Sequence, residues 1–328
     1  MASPKPEPQK SRSLGFAIVL IASVFFCIQN VIVRILYSQQ SIFGWFETGG
    51  FVAPTVQTSL LLMLLRMVWV VPLMGALIPL AYPRLWPDLR QLTQPHQRPT
   101  LKFALVGGVL MFTYLALLYL SIGLIPTAIA LTLFFTFPVF TAIFAWIWFG
   151  DRPSLLRWLI MAAILGGSAL TLPQGSLSGS GLAITSSAGL GVVLGILSGV
   201  AYALYTVTAQ KSFAEVHPIP FTWISFAVTC LLSGLLLLVW PLEDWQLDWW
   251  GLGVGSLLSA IATALGHVLN NLGIQKIGAI TASMIGAMNP VLTTLLAWVL
   301  IQEALAPVQG LGVLVVTVSV SLLAWSRD

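Results

Sequence analysis

Ten long apolar runs, separated by short polar breaks, decide what this chain can fold into. They lie near residues 14–37, 58–82, 101–122, 124–149, 155–173, 188–210, 220–241, 250–274, 277–301 and 307–325. At 1.5 Å rise per residue, about 20 apolar residues cross a hydrocarbon core of roughly 30 Å, so runs of this kind span a bilayer as helices. A water-soluble fold is excluded on the same ground. Of the 328 residues, 58% are hydrophobic and only 7% are Asp, Glu, Lys or Arg, too few charges to cover a soluble surface. The expected fold class is all-α integral membrane, with ten transmembrane helices.

The few charges orient the chain. With alternate loops on opposite faces, Lys5, Lys10, Arg12, Arg84, Arg90, Arg98, Lys102, Arg152, Arg157, Lys211, Lys276 and Arg327 all fall on one side, and the opposite loops hold no Lys or Arg. The positive-inside rule makes that side, with both termini, cytoplasmic, and a multi-pass protein of the cell inner membrane is expected. The net charge of +4 then reports cytoplasmic loops. No basic run interleaves with aromatics, so nucleic acid is excluded as a partner. Trp86, Trp148, Trp158, Trp240, Trp245, Trp249, Trp250 and Trp325 lie near run ends, as interfacial belts do. The polar, Pro/Lys-rich residues 1–13 read as a disordered cytoplasmic tail.

The chain also repeats itself. Sliding it by 152 positions aligns residues 115–151 with 267–303 without a gap, and ten of the 37 pairs are identical, against about four by chance in so apolar a composition. Pro138 meets Pro290, Val139 Val291, Thr141 Thr293, Ala145 Ala297 and Trp146 Trp298, and Asp151 meets Glu303. The uncharged Gly/Ser-rich stretch 174–187 reads as a linker between five-helix repeats at 14–173 and 188–325. Five is odd, so the second repeat enters the membrane inverted, an arrangement typical of transporters.

The segments FPVFTAIFAWIWFGD (137–151) and NPVLTTLLAWVLIQE (289–303) resemble the close of the fourth helix of each half in the drug/metabolite transporter superfamily, EamA type. Both ends inside, inverted five-helix repeats and an arginine in the second helix add to the resemblance, which covers nearly the whole chain. It implies a carrier without enzymatic chemistry or cofactor, moving small metabolites such as amino acids through a central cavity by alternating access, with export the first expectation. A multidrug or other organic-solute carrier of the same fold is the alternative, followed by a channel or structural subunit. The partners are then a small-molecule solute and the lipid bilayer, and the sequence leaves a homodimer open. Two features depart from the pattern: Asp151 stands where Glu is commoner, and the first outer loop, 38–57, is long. That loop is read either as an outer gate around Phe43, Trp45, Phe46 and Phe51 or as an aromatic connector at the interface.

Arg66 is the leading functional candidate. A guanidinium inside a span costs roughly 2.5 to 3.5 kcal/mol on insertion scales unless it is wet or paired. No Asp or Glu lies in any run. Arg66 therefore either uses water, carbonyls or an anionic group brought by a ligand, for which a substrate carboxylate fits, or snorkels to the outer headgroups. Arg34, nearer a run end, reads as snorkelling. His267, followed by Asn270 and Asn271, is a polar cluster and a candidate proton relay or a hydrogen-bonded core histidine. Asn30, Tyr114, Thr136, Tyr202, Tyr205 and Asn289, with Gln29 and Tyr119 nearby, add neutral polar atoms for a cavity lining, mixed with Phe134, Phe135 and Met284. Pro138 and Pro290 are expected to kink their helices by freeing the carbonyls of Phe134 and Gly286. Gly191, Gly195 and Gly199 share one helix face suited to close packing.

Other chemistries lack their residues. An intramembrane enzyme needs a nucleophile with a base, a zinc pair on a helix or a carboxylate dyad, and none is present in the runs. Three histidines, two of them in inner loops, build no metal site. Cys27 and Cys230 read as buried thiols.

Overall fold

The computed structural model describes residues 9–53, 55–125, 127–170, 186–242, 247–301 and 306–325. In chain order these form α1 (Gln9–Tyr37), a hairpin of β1 (Gln39–Ile42) and β2 (Phe46–Gly49), α2 (Val56–Ala81), α3 (Leu85–Leu92), α4 (Arg98–Leu124), α5 (Thr127–Phe134), α6 (Phe137–Phe149) and α7 (Leu155–Leu170). The second half follows as α8 (Ser186–Ser212), α9 (Pro218–Val239), α10 (Trp249–Gly286), α11 (Asn289–Ile301) and α12 (Pro307–Trp325). Among the described residues, seven helical segments are long and apolar enough to cross a membrane, one of them (130–149) running through α5 and α6 together, and 155–170, 289–300 and 307–323 are shorter apolar helices.

Three boundaries differ from the sequence reading. The first helix starts at Gln9, inside the tail read as disordered, because Lys, Arg and Ser tolerate helix once the apolar turns above have nucleated it. Most of the 174–187 linker lies outside the described residues, but Ser186 already opens α8. The loop after α1 is a hairpin with register Gln39 to Gly49 and Ile42 to Phe46, so the described chain is helical with one two-stranded element.

The helices are broken near the prolines rather than kinked at them. α5 ends at Phe134 and α6 starts at Phe137, with Pro138 in its first turn. Helix α10 is interrupted at Gly278, which takes φ 77° and ψ 164°, its last segment ends at Gly286, and α11 starts at Asn289 with Pro290 second. Proline lacks the N–H that an interior position must donate, whereas at a helix start that N–H has no partner to lose. The two interruptions, 135–136 and 287–288, stand 152 positions apart, the offset at which the sequence repeats.

The exposed backbone groups at these breaks find protein partners. Ser168 Oγ donates to Ala287 O at 3.0 Å, Cys27 Sγ donates to Asn289 O at 3.4 Å, and Gln210 Oε1 accepts from the Ala279 N–H. Away from water such groups cost free energy unless bonded, which is why broken helices inside a membrane are found only where protein surrounds them.

Helix pairing alternates between the halves. The most extensive contacts join α1 to α10 and α4 to α8, so the first helix of each half lies on the third helix of the other. α2 packs on α9, α7 on α12, α11 on α1, and α5 and α6 on α8. Small residues permit this closeness, since lipid supplies no hydrophobic drive between helices and contact geometry must. On α8, a Cβ at Gly191 would stand 2.7 Å from Ile125 Cγ2, at Gly195 3.0 Å from Ser121 Oγ, and at Gly199 2.9 Å from Phe134 O. Ser121 Oγ also donates to Gly191 O at 2.8 Å. Gly199 thus seats α8 against the break between α5 and α6.

The hairpin closes back on the bundle. Phe43 N–H donates to Leu300 O at 2.8 Å, and Gly50 and Phe51 N–H donate to Ile35 O and Leu36 O at 3.0 and 2.9 Å. Gly49 takes φ 109° because a Cβ there would fall 2.2 Å from Ile35 O. Val52 packs beneath it with Leu36, Leu62 and Leu252, while Trp45 at the tip is 86% exposed.

Candidate functional site

The interior of the bundle carries a column of polar side chains from α2, α4, α8, α9 and α10. Arg66 follows ten residues after Val56, the start of α2, about 15 Å along the helix. It is only 3% exposed, so it turns into the bundle rather than to the headgroups. Its Nη2 donates to Tyr119 Oη on α4 at 3.3 Å, and its Nε is buried with no partner. The guanidinium charge acts on Tyr37, Tyr114 and His267, all neutral or aromatic groups. Tyr37 and Ser59, toward the start of α2, share a hydrogen bond of 2.6 Å.

His267 lies on α10. It is buried, its ring meets Phe26 edge-on at 4.9 Å and Phe226 at 5.3 Å, and its Nδ1 has no partner. One turn on, Asn271 Nδ2 donates to Thr222 Oγ1 at 2.8 Å and to Tyr205 Oη at 3.0 Å, while its Oδ1 is buried and unpartnered. Tyr119 and Asn271 are 152 positions apart. Each ties the third helix of its half to the second, Tyr119 to Arg66 on α2 and Asn271 to Thr222 on α9.

Between these ties lies an aromatic network. Tyr114 meets Tyr202 at 4.9 Å between ring centroids, Phe134 at 6.0 Å and Tyr205 at 6.3 Å. Tyr202 also meets Phe137 at 4.6 Å, and Tyr205 meets His267 at 6.5 Å. The rings that flank the α5–α6 break thus connect edge to edge with the polar column.

The structure therefore brings together Arg66, Tyr114, Tyr202, Tyr205 and His267. Asn270 is buried beside the column, but the bonds are made by Asn271. Three other candidates stand elsewhere. Asn30 is exposed on α1, with its Nδ2 3.5 Å from Thr293 Oγ1 on α11. Asn289 is at the start of α11 with a buried, unpartnered Oδ1, and Thr136 Oγ1 is used locally, donating to Leu133 O at 2.6 Å. Gln29 accepts from Thr263 at 2.9 Å. Pro138 and Pro290 begin half-helices. Thr222 is the participant that sequence reasoning missed. It sits among hydroxyls that bond the carbonyl one turn back, Thr222 to Pro218, Ser225 to Phe221 and Thr229 to Ser225. Only its second bond, to Asn271, distinguishes it.

Just past the end of α2, Tyr82 donates to Asp88 Oδ2 and stacks on His217, with ring centroids 4.3 Å apart. His217 Nδ1 accepts from Ile219 N at 3.3 Å and so caps α9. Burial holds the His217 imidazole below its ordinary value, against the opposing attraction of Asp88. Burial, with the Asp88 hydrogen bond and charge, pushes the Tyr82 phenol up to about 12. Nearby, Lys211 at the end of α8 lies over the rings of Phe103 (4.9 Å) and Trp148 (5.9 Å), joining α8, α4 and α6. Among the described residues no group of three or more His, Cys, Asp or Glu could hold a metal ion.

Known proteins resemble this chain in sequence and shape. The model of the EamA-like transporter family matches residues 189–325. An uncharacterized transporter of Synechocystis is 52% identical over 314 residues, 96% of this chain and 94% of that protein. The threonine/homoserine exporter RhtA of Escherichia coli is 26% identical over 242 residues, 73% of this chain and 74% of its own. A crystal structure of another protein superposes with a TM-score of 0.72 at 16% identity, covering 96% of this chain and 98% of that one, which establishes a shared fold.

Proposed function

Because the chain belongs to the EamA-like transporter family, we propose that it is a secondary carrier exporting small carboxylate-bearing metabolites, amino acids such as threonine and homoserine first, across a bacterial inner membrane. It is a transporter and not an enzyme. The observation that carries the substrate class is Arg66, a permanent charge 3% exposed with no acid on any long helix around it. A substrate carboxylate supplies the missing countercharge through the orphaned Nε, and aromatic faces of Tyr114 and Tyr202 receive the rest of the molecule. The export of threonine and homoserine by a relative supports this reading.

The carrier works by alternating access between two inverted five-helix repeats, with the ten spans supplied by the seven long and three shorter apolar helices. The matched breaks, the exchange of first and third helices between halves and the Tyr119/Asn271 equivalence all support the duplication. Both termini face the cytoplasm. The second reading concerns energy: His267, buried with a free Nδ1, relays the driving proton. Unchanged dependence of transport on the pH gradient in His267→Ala overturns that part alone. A comparison of extracellular metabolites from cells with and without the protein tests the substrate class. Enrichment of amino acids or related carboxylates is expected, and enrichment confined to solutes without a carboxylate overturns it.

A further inference from the structure

We propose that Arg66 holds a small inorganic anion, of the halide class, in the substrate-free carrier, and that the substrate carboxylate enters by displacing it. The inference rests on the reading of Arg66 as the carboxylate site and adds the occupant of its resting state.

The argument starts from charge balance. A guanidinium is protonated at every physiological pH, so Arg66 has no neutral form to retreat to. Removing an ion from water costs several kcal/mol after relaxation, and the penalty is offset only by an opposite charge or a full set of hydrogen bonds. Arg66 is 3% exposed, which denies it bulk water and the counterions in it. All ten acids of the chain lie outside α1, α2 and α4 to α12, so these helices supply it no carboxylate. The groups that feel its charge, Tyr37, Tyr114, Tyr119 and His267, carry no negative charge at neutral pH.

The hydrogen-bonding pattern indicates the sign of the occupant. Arg66 Nε–H is an unused donor. Tyr119 Oη accepts from Arg66, which leaves its own hydroxyl hydrogen to donate elsewhere. Arg66 Nε–H thus lacks an acceptor at a buried charge, and the Tyr119 hydroxyl hydrogen beside it is available to the same occupant. A halide accepts several such bonds at once and supplies the countercharge, whereas a water supplies no charge. The repeat-equivalent tie, Asn271 to Thr222, is neutral and needs no such occupant.

A resting anion also has a consequence for the cycle. Without one, the emptied carrier would carry an unpaired guanidinium through its return. With one, the site is neutral while a carboxylate is bound and again once the halide has replaced it.

The test uses purified full-length protein in detergent micelles. Its unfolding midpoint is measured with sodium chloride, sodium bromide or sodium gluconate at constant ionic strength, and with acetate as the carboxylate probe. Halides are expected to raise the midpoint saturably, by about 2 to 4 °C at saturation, and acetate to compete with bromide. Arg66→Gln should lose the halide effect, and Arg66→Lys, which keeps the charge, should retain it with weaker affinity. Equal halide effects in wild type and Arg66→Gln, or none in wild type, overturn the inference. Acetate binding at Arg66 without any halide effect removes the resting anion and leaves the carboxylate site standing. A halide effect that acetate does not compete with removes the carboxylate site instead. Should Arg66→Gln fail to fold, Tyr119→Phe, which removes one donor and no charge, is expected to weaken bromide affinity several-fold, and unchanged affinity counts against the site.

Discussion

Arg66 and Asn271 each take part in the tie between the second and third spans of one half, yet only one of them was legible as important. Arginine in an apolar run is conspicuous because insertion penalises it, whereas asparagine has two adjacent copies at 270 and 271, and sequence has no means of choosing the one that turns toward Tyr205 and Thr222. Asn271→Ala is expected to cost about 1 kcal/mol, since such bonds are worth little more within membranes, and thermal unfolding in detergent checks it. His217 offers a second test at this scale. Its folded-state value lies below the ordinary 6.5 because burial favours the neutral ring, so the unfolded chain binds the proton more readily. Stability is therefore fully present above about pH 6.5 and falls as the pH drops below that value. His217→Asn, which keeps an N-cap acceptor without a titrating group, should flatten that fall between pH 7 and 5.5 in a midpoint-versus-pH series.

At the scale of elements, the half-helices changed the meaning of the two prolines. Pro138 and Pro290 were legible as a matched pair, but a run of apolar residues reads alike whether one helix crosses it or two, so the expectation was a kink. The breaks emerge from groups far apart in sequence: Ser168 bonding Ala287 O, Gln210 bonding Ala279 N and Gly199 beside Phe134 O. Since Pro290 occupies a first turn where no hydrogen bond is forfeited, Pro290→Ala should change stability by less than about 1 kcal/mol and leave the break in place. Gly199 is far less tolerant. A side chain there must push apart α8 and the α5–α6 break, so Gly199→Val should cost about 1 to 3 kcal/mol or more, read as a lowered midpoint and reduced folded yield. The hairpin was unreadable as such, because its strands are four residues each and gain their order from bonds to Leu300, Ile35 and Leu36.

For the whole molecule, composition gave the membrane class, charge placement gives an expected orientation, and the self-match at 152 positions coincides with the offset between the two helix breaks. What remained hidden was which helices touch, because a bilayer-facing surface and a helix-facing surface are equally apolar. The orientation is open to direct test. In a variant with Cys27 and Cys230 replaced by Ala, a cysteine at Trp45 should react with an impermeant thiol reagent in intact cells, and one at Arg157 only after permeabilisation. The central claim, that Arg66 receives the carboxylate of the transported solute, is tested most directly by counterflow in proteoliposomes preloaded with unlabelled threonine. Wild-type protein should accumulate external labelled threonine, and Arg66→Gln of equal folded yield should lose at least tenfold of that rate. Threonine counterflow by Arg66→Gln at the wild-type rate would contradict the account.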